Sequence, residues 1–310
     1  KISNFIIDIR DKDKIKESIQ NIEPDFIFHL AAQSLVSKSY KDPHLTWETN
    51  TLGTLNILEG IRTLNKKCIA VLITSDKCYE NVEWIYGYRE NDKLGGIDPY
   101  SASKAGAEIV ISSYVRSYFK NNEKIRIGIA RAGNVIGGGD WANNRIVPDC
   151  IKAWQDNKIV SLRSPNSTRP WQHVLEPLSG YLTLAMNLSN SKKHHGEAFN
   201  FGPQIDVTPS VEDLVKKMSL FWEKVNWEIK NPQFETSFHE ANLLKLNCDK
   251  SFHYLNWKAN WGFEETVINT ITWYKKYYEN NNPKTVFDLT INQIKEYHNS
   301  ALHKNIAWAK

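Results

Sequence analysis

The sequence predicts an α/β protein, a doubly wound parallel sheet joined to a smaller mixed α/β region. Three observations carry that expectation. Short apolar segments without polar alternation recur through the first 133 residues. Polar segments with helically spaced apolar residues separate them. Past Gly133 the rhythm breaks into loops, aromatic residues and amphipathic helices. Strands lose alternation when helices cover both faces of their sheet, and right-handed crossovers between parallel strands produce that cover.

Taken in order, Asn4-Phe5-Ile6-Ile7 reads as a short strand ending at Asp8. Lys12 to Ile22 is helical, with Ile15, Ile19 and Ile22 on one face, and Pro24 stops it. Phe26 to Leu30 reads as a buried strand, and Pro43 opens a long helix carrying Leu45, Leu52, Leu55, Ile57, Leu58 and Ile61. Ile69 to Thr74 is a strand, Tyr100 to Phe119 a helix, and Ile125 to Ala130 a strand. Gly137-Gly138-Gly139-Asp140 is a loop. Helices follow over Ile146–Asn157 and Leu175–Asn190, a strand over Ala198–Phe201, then helices over Val211–Val225, Glu264–Glu279 and Leu289–His298.

Composition excludes several classes. A net charge of +4, with acids and bases interleaved, gives no footprint for nucleic acid. No apolar run is long enough to span a membrane, and the first residues lack a signal-peptide pattern, so a cytoplasmic protein is expected. Cys68, Cys78, Cys150 and Cys248 form no CxxC pair and no zinc spacing, so no metal is expected and the thiols read as free.

Five constellations carry chemistry. Tyr100 and Lys104, four apart on a helix, share a face, where an ammonium lowers a phenol's pKa and makes it a general base. Ser75-Asp76-Lys77 follows a strand, the place where ligands bind in open α/β sheets. His29-Leu30-Ala31-Ala32 ends another strand, its alanines small enough for a cofactor to approach the backbone, although His29 alone would suit a core. Asp8 and Ile9 end the first apolar segment, where an acid holds an adenine amine or, equally, serves the helix start near Asp11. Asn50, unfavourable in mid-helix, points to a buried hydrogen-bonding role.

The order Asp8-Ile9-Arg10-Asp11, His29-Leu30-Ala31-Ala32, Asn50, Ser75, Tyr100 and Lys104 resembles the extended short-chain dehydrogenase/reductases. Within them, Ser75-Asp76-Lys77-Cys78-Tyr79-Glu80-Asn81, Gly87-Tyr88-Arg89-Glu90 and Leu94 to Ser101 look like the CDP-glucose 4,6-dehydratases. Arg131 to Trp141, Arg169 to Leu178, Asn200-Phe201-Gly202-Pro203 and His239 to Leu246 extend the resemblance over nearly the whole chain.

The resemblance implies a Rossmann-like NAD-binding domain over residues 1–133 with 174–203, and a nucleotide-sugar-binding domain over 134–173 with 204–310. It implies NAD held by Asp8, Ile9, Leu30, Ala31, Ala32, Asn50, Tyr100 and Lys104. CDP-glucose would meet Asn134, Arg169 and, unless they are surface residues, Arg145 and His239. Tyr100, helped by Lys104 and Ser75, would take the 4-hydroxyl proton. Asp76 and Lys77 would share acid and base duties at C6 and C5. A homodimer through a four-helix bundle of helices around 43–65 and 100–119 is implied as well.

Two departures stand out. Ser75 replaces the usual Thr but keeps the hydroxyl. No Gly-rich phosphate loop opens a βαβ unit, so the first βαβ segment is expected to be missing from this chain, a piece of a longer protein. That loss favours a non-catalytic, sugar-nucleotide-binding relative, and the full Ser75, Asp76, Lys77, Tyr100, Lys104 set opposes it. Asp76-Lys77 counts against a 4-epimerase. The long interval from Lys77 to Tyr100 counts against the UDP-N-acetylglucosamine type of dehydratase.

Overall fold

The computed structural model describes residues 2–162, 164–203, 209–222, 225–229, 243–279 and 282–310. Helix α1 (Lys12–Ile22) starts where the Asp11 carboxylate accepts the Lys14 N–H at 3.2 Å. Strand β1 (Phe26–His29), α2 (Val36–Lys41) and α3 (Pro43–Trp47) follow. A wider π-type turn over Glu48–Leu52 carries α3 into α4 (Gly53–Arg62), so the helix expected from Pro43 is continuous. Next come β2 (Cys68–Ile73), a 3₁₀ turn (Asp76–Cys78), α5 (Pro99–Tyr114) with a π-type turn to Phe119, and β3 (Ile125–Ala132). Then follow β4 (Val135–Ile136), α6 (Ile146–Gln155), β5 (Val160–Leu162), β6 (Gln172–His173), α7 (Leu175–Asn190) and β7 (Ala198–Phe201). Helix α8 (Val211–Ser219), β8 (Trp227–Ile229), α9 (Asp249–Leu255), α10 (Phe263–Glu279) and α11 (Pro283–His303) complete the described elements.

The chain forms two compact units. The first contains Lys1–Val82, Glu90–Arg131 and Tyr181–Phe199. Its sheet has the order β1-β2-β3-β7, with β1, β2 and β3 parallel. Phe26 pairs with Ile69 and Cys68 with Ile125, so β1 ends at His29 beside Leu72, β2 ends at Ile73 beside Ala130, and the carboxyl ends of the three strands lie along one edge. One face buries Leu72, Ile127 and Ile129 against Leu58, Ile61, Ile111 and Phe119. On the other face, Gly128 admits Leu184 and Leu188 of α7, and a Cβ there would fall 2.8 Å from Leu188.

The second unit contains Glu83–Arg89, Ala132–Gly180 and Asn200–Lys310. Its core gathers Ile151, Trp154, Trp171, Leu214, Met218, Val267 and Tyr274. Two short parallel pairs, β4 with β6 and β5 with β8, lie in it. At the start of α7, the buried Glu176 carboxyl accepts the N–H groups of Asn260 at 2.9 Å and Trp261 at 2.6 Å, and the Tyr297 hydroxyl at 2.8 Å. Burial outweighs those donors and pushes its pKa up to about 7.

Some expectations fail. Asn4–Ile7 is no strand: among the described residues it has no ladder partner, and Ile6 is 96% exposed. β1 is less buried than its sequence suggests, with Phe26 exposed. Helix α8 ends at Ser219 and not at Val225, because the Leu220 and Phe221 N–H groups close back on Lys217 and Met218. Among the described residues, no helix is long and apolar enough to cross a membrane.

Candidate active site

The site is built at the carboxyl end of β2. The Thr74 N–H still bonds to Ala130, and the chain then turns into Asp76–Cys78. Ser75 sets that turn: its Oγ accepts the Lys77 N–H at 3.2 Å and donates to Asp76 Oδ1 at 2.9 Å. Ser75 and Asp76 are buried, and Lys77 is half-buried. The base of α5 packs on this turn. Asp98 caps α5, accepting the Ser101 N–H at 3.0 Å and its hydroxyl at 2.5 Å. Pro99 supplies the first helical φ, which places Tyr100 in the first turn.

Tyr100 and Lys104 are both buried. The Lys104 ammonium donates to the Ile73 carbonyl at 3.2 Å. Burial draws its pKa down to about 8, where ammonium and amine interconvert close to neutrality. Structure therefore brings Ser75, Asp76, Lys77, Tyr100 and Lys104 to one strand end and the helix above it.

The segment after β1 is tied to the same helix by Asn50. Its Oδ1 accepts the Gln33 N–H at 2.8 Å, and its Nδ2 donates to the Gln33 carbonyl at 3.0 Å and to Ser103 Oγ at 2.9 Å. Ser103 in turn donates to the Tyr100 carbonyl at 2.7 Å. Asn50 lies in the π-type turn, a distortion that recurs at functional sites. His29 bonds to Thr54 Oγ1 at 3.1 Å and is held neutral, its pKa drawn down to about 4 by burial.

Leu30 is 54% exposed, Ala31 is exposed and Ala32 half-buried, leaving an open apolar face at the end of β1. A flat dinucleotide ring system fits such a surface. Asp8 is exposed and chelated by Arg10, whose hydrogen bonds hold the carboxyl at about 2. Asp11, not Asp8, caps α1. The Ile9 carbonyl accepts from Asn56 at 3.0 Å, and its side chain touches Gly53.

Asn134, Arg145 and Arg169 belong to the second unit. Asn134 adopts a left-handed φ of 50° between β3 and β4. Arg145 pairs with Asp140 at 3.0 Å, and Arg169 is buried, donating to the Thr168 carbonyl at 2.8 Å. His239 lies outside the described residues.

Sequence reasoning missed Glu108, Arg131, Tyr79 and Tyr181. Glu108 sits one turn beyond Lys104, and both its oxygens accept from Arg131, through Nε at 2.6 Å and a second guanidinium nitrogen. Thr74 donates to Glu108 at 2.6 Å, and Arg131 also donates to the Tyr79 hydroxyl at 2.7 Å and the Glu90 carbonyl at 2.9 Å. Tyr181 of α7 is buried near Tyr100 and Asp76, and burial raises its phenol pKa. The available signals were the i, i+4 spacing of Lys104 and Glu108 and the place of Tyr79 and Arg131 within the motifs that carry the resemblance.

Comparison with known proteins gives consistent results. A family described as GDP-mannose 4,6 dehydratase matches residues 1–270. A Salmonella typhimurium CDP-glucose 4,6-dehydratase is 44% identical over 279 residues, spanning 88% of this chain and 77% of the relative. Pal from Bacillus thuringiensis superposes with a TM-score of 0.74 at 26% identity, covering 87% of this chain and 82% of that one. The dTDP-glucose 4,6-dehydratase DesIV from Streptomyces venezuelae, solved with NAD and TYD bound, gives 0.69 at 21% identity over 87% and 78%.

Proposed function

This chain belongs to the GDP-mannose 4,6 dehydratase family, among the extended short-chain dehydrogenase/reductases, and from that premise we propose that it converts CDP-D-glucose to CDP-4-dehydro-6-deoxy-D-glucose and water. The observation that carries the proposal is the buried Ser75-Asp76 pair, with Lys77 beside it, packed under the turn of α5 that holds Tyr100 and Lys104. An epimerase has no use for an acid and an amine beside the hydroxyl.

The first unit is the NAD-binding half, through Asp8, Ile9, Leu30, Ala31, Ala32, Asn50, Tyr100 and Lys104. Bound there, NAD supplies a hydride acceptor for the sugar C4 and a hydride donor for C6. Tyr100 takes the proton of the 4-hydroxyl, and Lys104 stabilises the phenolate. Ser75 holds the same oxygen by a hydrogen bond. Once C4 is a ketone, the C5 proton is acidic. Lys77 removes it, and Asp76 protonates the departing 6-hydroxyl as water. The second unit receives the nucleotide sugar through Asn134, Arg145, Arg169 and His239, with Arg169 on the diphosphate.

Exposed Trp47, Leu52, Ile109 and Tyr118, on the helices after Pro43 and on α5 with its following turn, support a homodimer through a four-helix bundle. Light scattering behind a sizing column tests it.

The enzymatic test is mass spectrometry of CDP-glucose incubated with NAD and the protein. Loss of one water with no net NADH supports the assignment. An unchanged mass, with both ligands bound, rejects it in favour of an epimerase or a silent relative.

A further inference from the structure

A lysine and a glutamate four apart on a helix are within reach of one another. On α5 they do not pair. Lys104 donates to the Ile73 carbonyl at 3.2 Å, while Arg131 from β3 occupies both oxygens of Glu108 and Thr74 adds a third donor. Arg131 is itself fixed from the opposite side, by the Tyr79 hydroxyl, the Glu90 carbonyl and the Tyr79 ring, whose centroid lies 4.7 Å from the guanidinium carbon. Glu108 and Arg131 are each 3% exposed, so no water competes for either partner.

The charges around Lys104 make this arrangement consequential. The groups that act on it are Glu108 on its own helix, Cys78 after β2 and His29 at the end of β1, while Tyr100 stands one helical turn before it. His29 is neutral, and burial keeps the Cys78 thiol protonated. Glu108 is therefore the one of these that bears on Lys104 as an anion, and Arg131 decides where that anion points.

We propose that Arg131 is a positioning residue for the reaction: by holding the Glu108 carboxylate, it keeps that group from capturing Lys104 and leaves the ammonium on the side of Tyr100. This role rests on the dehydratase assignment for its catalytic meaning, though the positioning itself does not.

The test reads Lys104 directly. Protein labelled with ¹³C at the lysine ε-carbon is titrated with NAD present, and the Lys104 resonance is assigned by Lys104→Arg. Arg131→Gln frees the carboxylate to pair with Lys104, so the midpoint should rise by about one pH unit. Glu108→Gln leaves Arg131 as an uncompensated cation, so the midpoint should fall. Arg131→Lys, which keeps a cation opposite Glu108, should restore the wild-type midpoint.

In parallel, Arg131→Gln should lower kcat for CDP-glucose by about 100-fold with KM changed by less than about threefold, and its alkaline limb should move with the resonance. If either single variant fails to fold, the neutral pair Glu108→Gln with Arg131→Gln replaces it, and its midpoint should lie at or below that of the wild type. Midpoints that stay fixed in folded variants, or that move in the same direction in both single variants, overturn the proposal. A wild-type protein that shows the expected midpoints and leaves CDP-glucose intact would instead overturn the dehydratase assignment.

Discussion

Replacing Glu176 with Gln should remove a loss of stability that the wild type suffers as pH rises. Burial raises the folded pKa from an ordinary 4.5 to about 7, so the folded state favours the protonated acid. A raised folded pKa contributes stability that is complete below pH 4.5 and is lost as pH climbs through 7. At about 1.4 kcal/mol per pH unit, the wild type forfeits on the order of 3 kcal/mol between pH 4.5 and 8. Gln is neutral throughout and forfeits nothing.

Gln carries a different cost. Both carboxyl oxygens accept a backbone N–H, from Trp261 and from Asn260, and the amide nitrogen of Gln must face one of those donors. Leaving a buried donor unmatched costs about 1–3 kcal/mol. Glu176→Gln should therefore melt below the wild type at pH 5 and at or above it at pH 8. The assay is thermal unfolding by tryptophan fluorescence at four pH values, with Trp257 and Trp261 close to the network. At about 2–4 °C per kcal/mol, the difference between the two proteins should swing by about 6–12 °C. A constant difference from pH 5 to 8 would mean that Glu176 stays ionised and that its three donors outweigh its burial.

Tyr100→Phe should lower dehydration by about 10²–10⁴-fold, measured by mass spectrometry, with folding unchanged. Asn50→Ala removes the clamp on Gln33 and Ser103, so it should weaken NAD binding in calorimetry and lower the Tm by several degrees; unchanged NAD affinity would show that the clamp only stabilises the fold. Gly138→Ala would drive a methyl into the Trp273 ring and should cost about 1–3 kcal/mol in denaturant unfolding. A maleimide pulse on native protein should label Cys248, which is half-buried, and spare Cys68, Cys78 and Cys150; labelling at Cys78 would mean that the turn after β2 opens.

The sequence made the sheet of the first unit legible because its signals are local. Uninterrupted runs such as Ile69–Thr74 and Ile125–Ala130 need no partner to be recognised as buried, and Asp98-Pro99 marks a helix start by its own chemistry. The same locality brought Ser75, Asp76, Lys77, Tyr100 and Lys104 into view as strand-end and helix-face residues. Asn4–Ile7 misled because an apolar run does not say whether a neighbouring strand is there to pair with. Pairs such as β4 with β6 are two residues long and leave no periodicity to detect. The role of Glu108 and Arg131 was illegible for a related reason: it lies in a contact across 23 positions, and although Arg131 opens a motif of the resemblance, neither residue alone names its partner.

The parallel register also sets a timetable. On the ribosome, Phe26 waits for Ile69, Cys68 waits for Ile125, and the Ile129 N–H waits for the Glu197 carbonyl. Each strand is made long before its neighbour, and such non-local pairing is slow. Gly128 stays bare until Leu184 and Leu188 emerge, so the first unit closes only when a segment made after the intervening residues 132–180, on the order of a few seconds of synthesis, returns to it. During that interval the nascent chain presents unpaired apolar strand edges, and its yield in cells should depend on holding chaperones more than its final stability suggests.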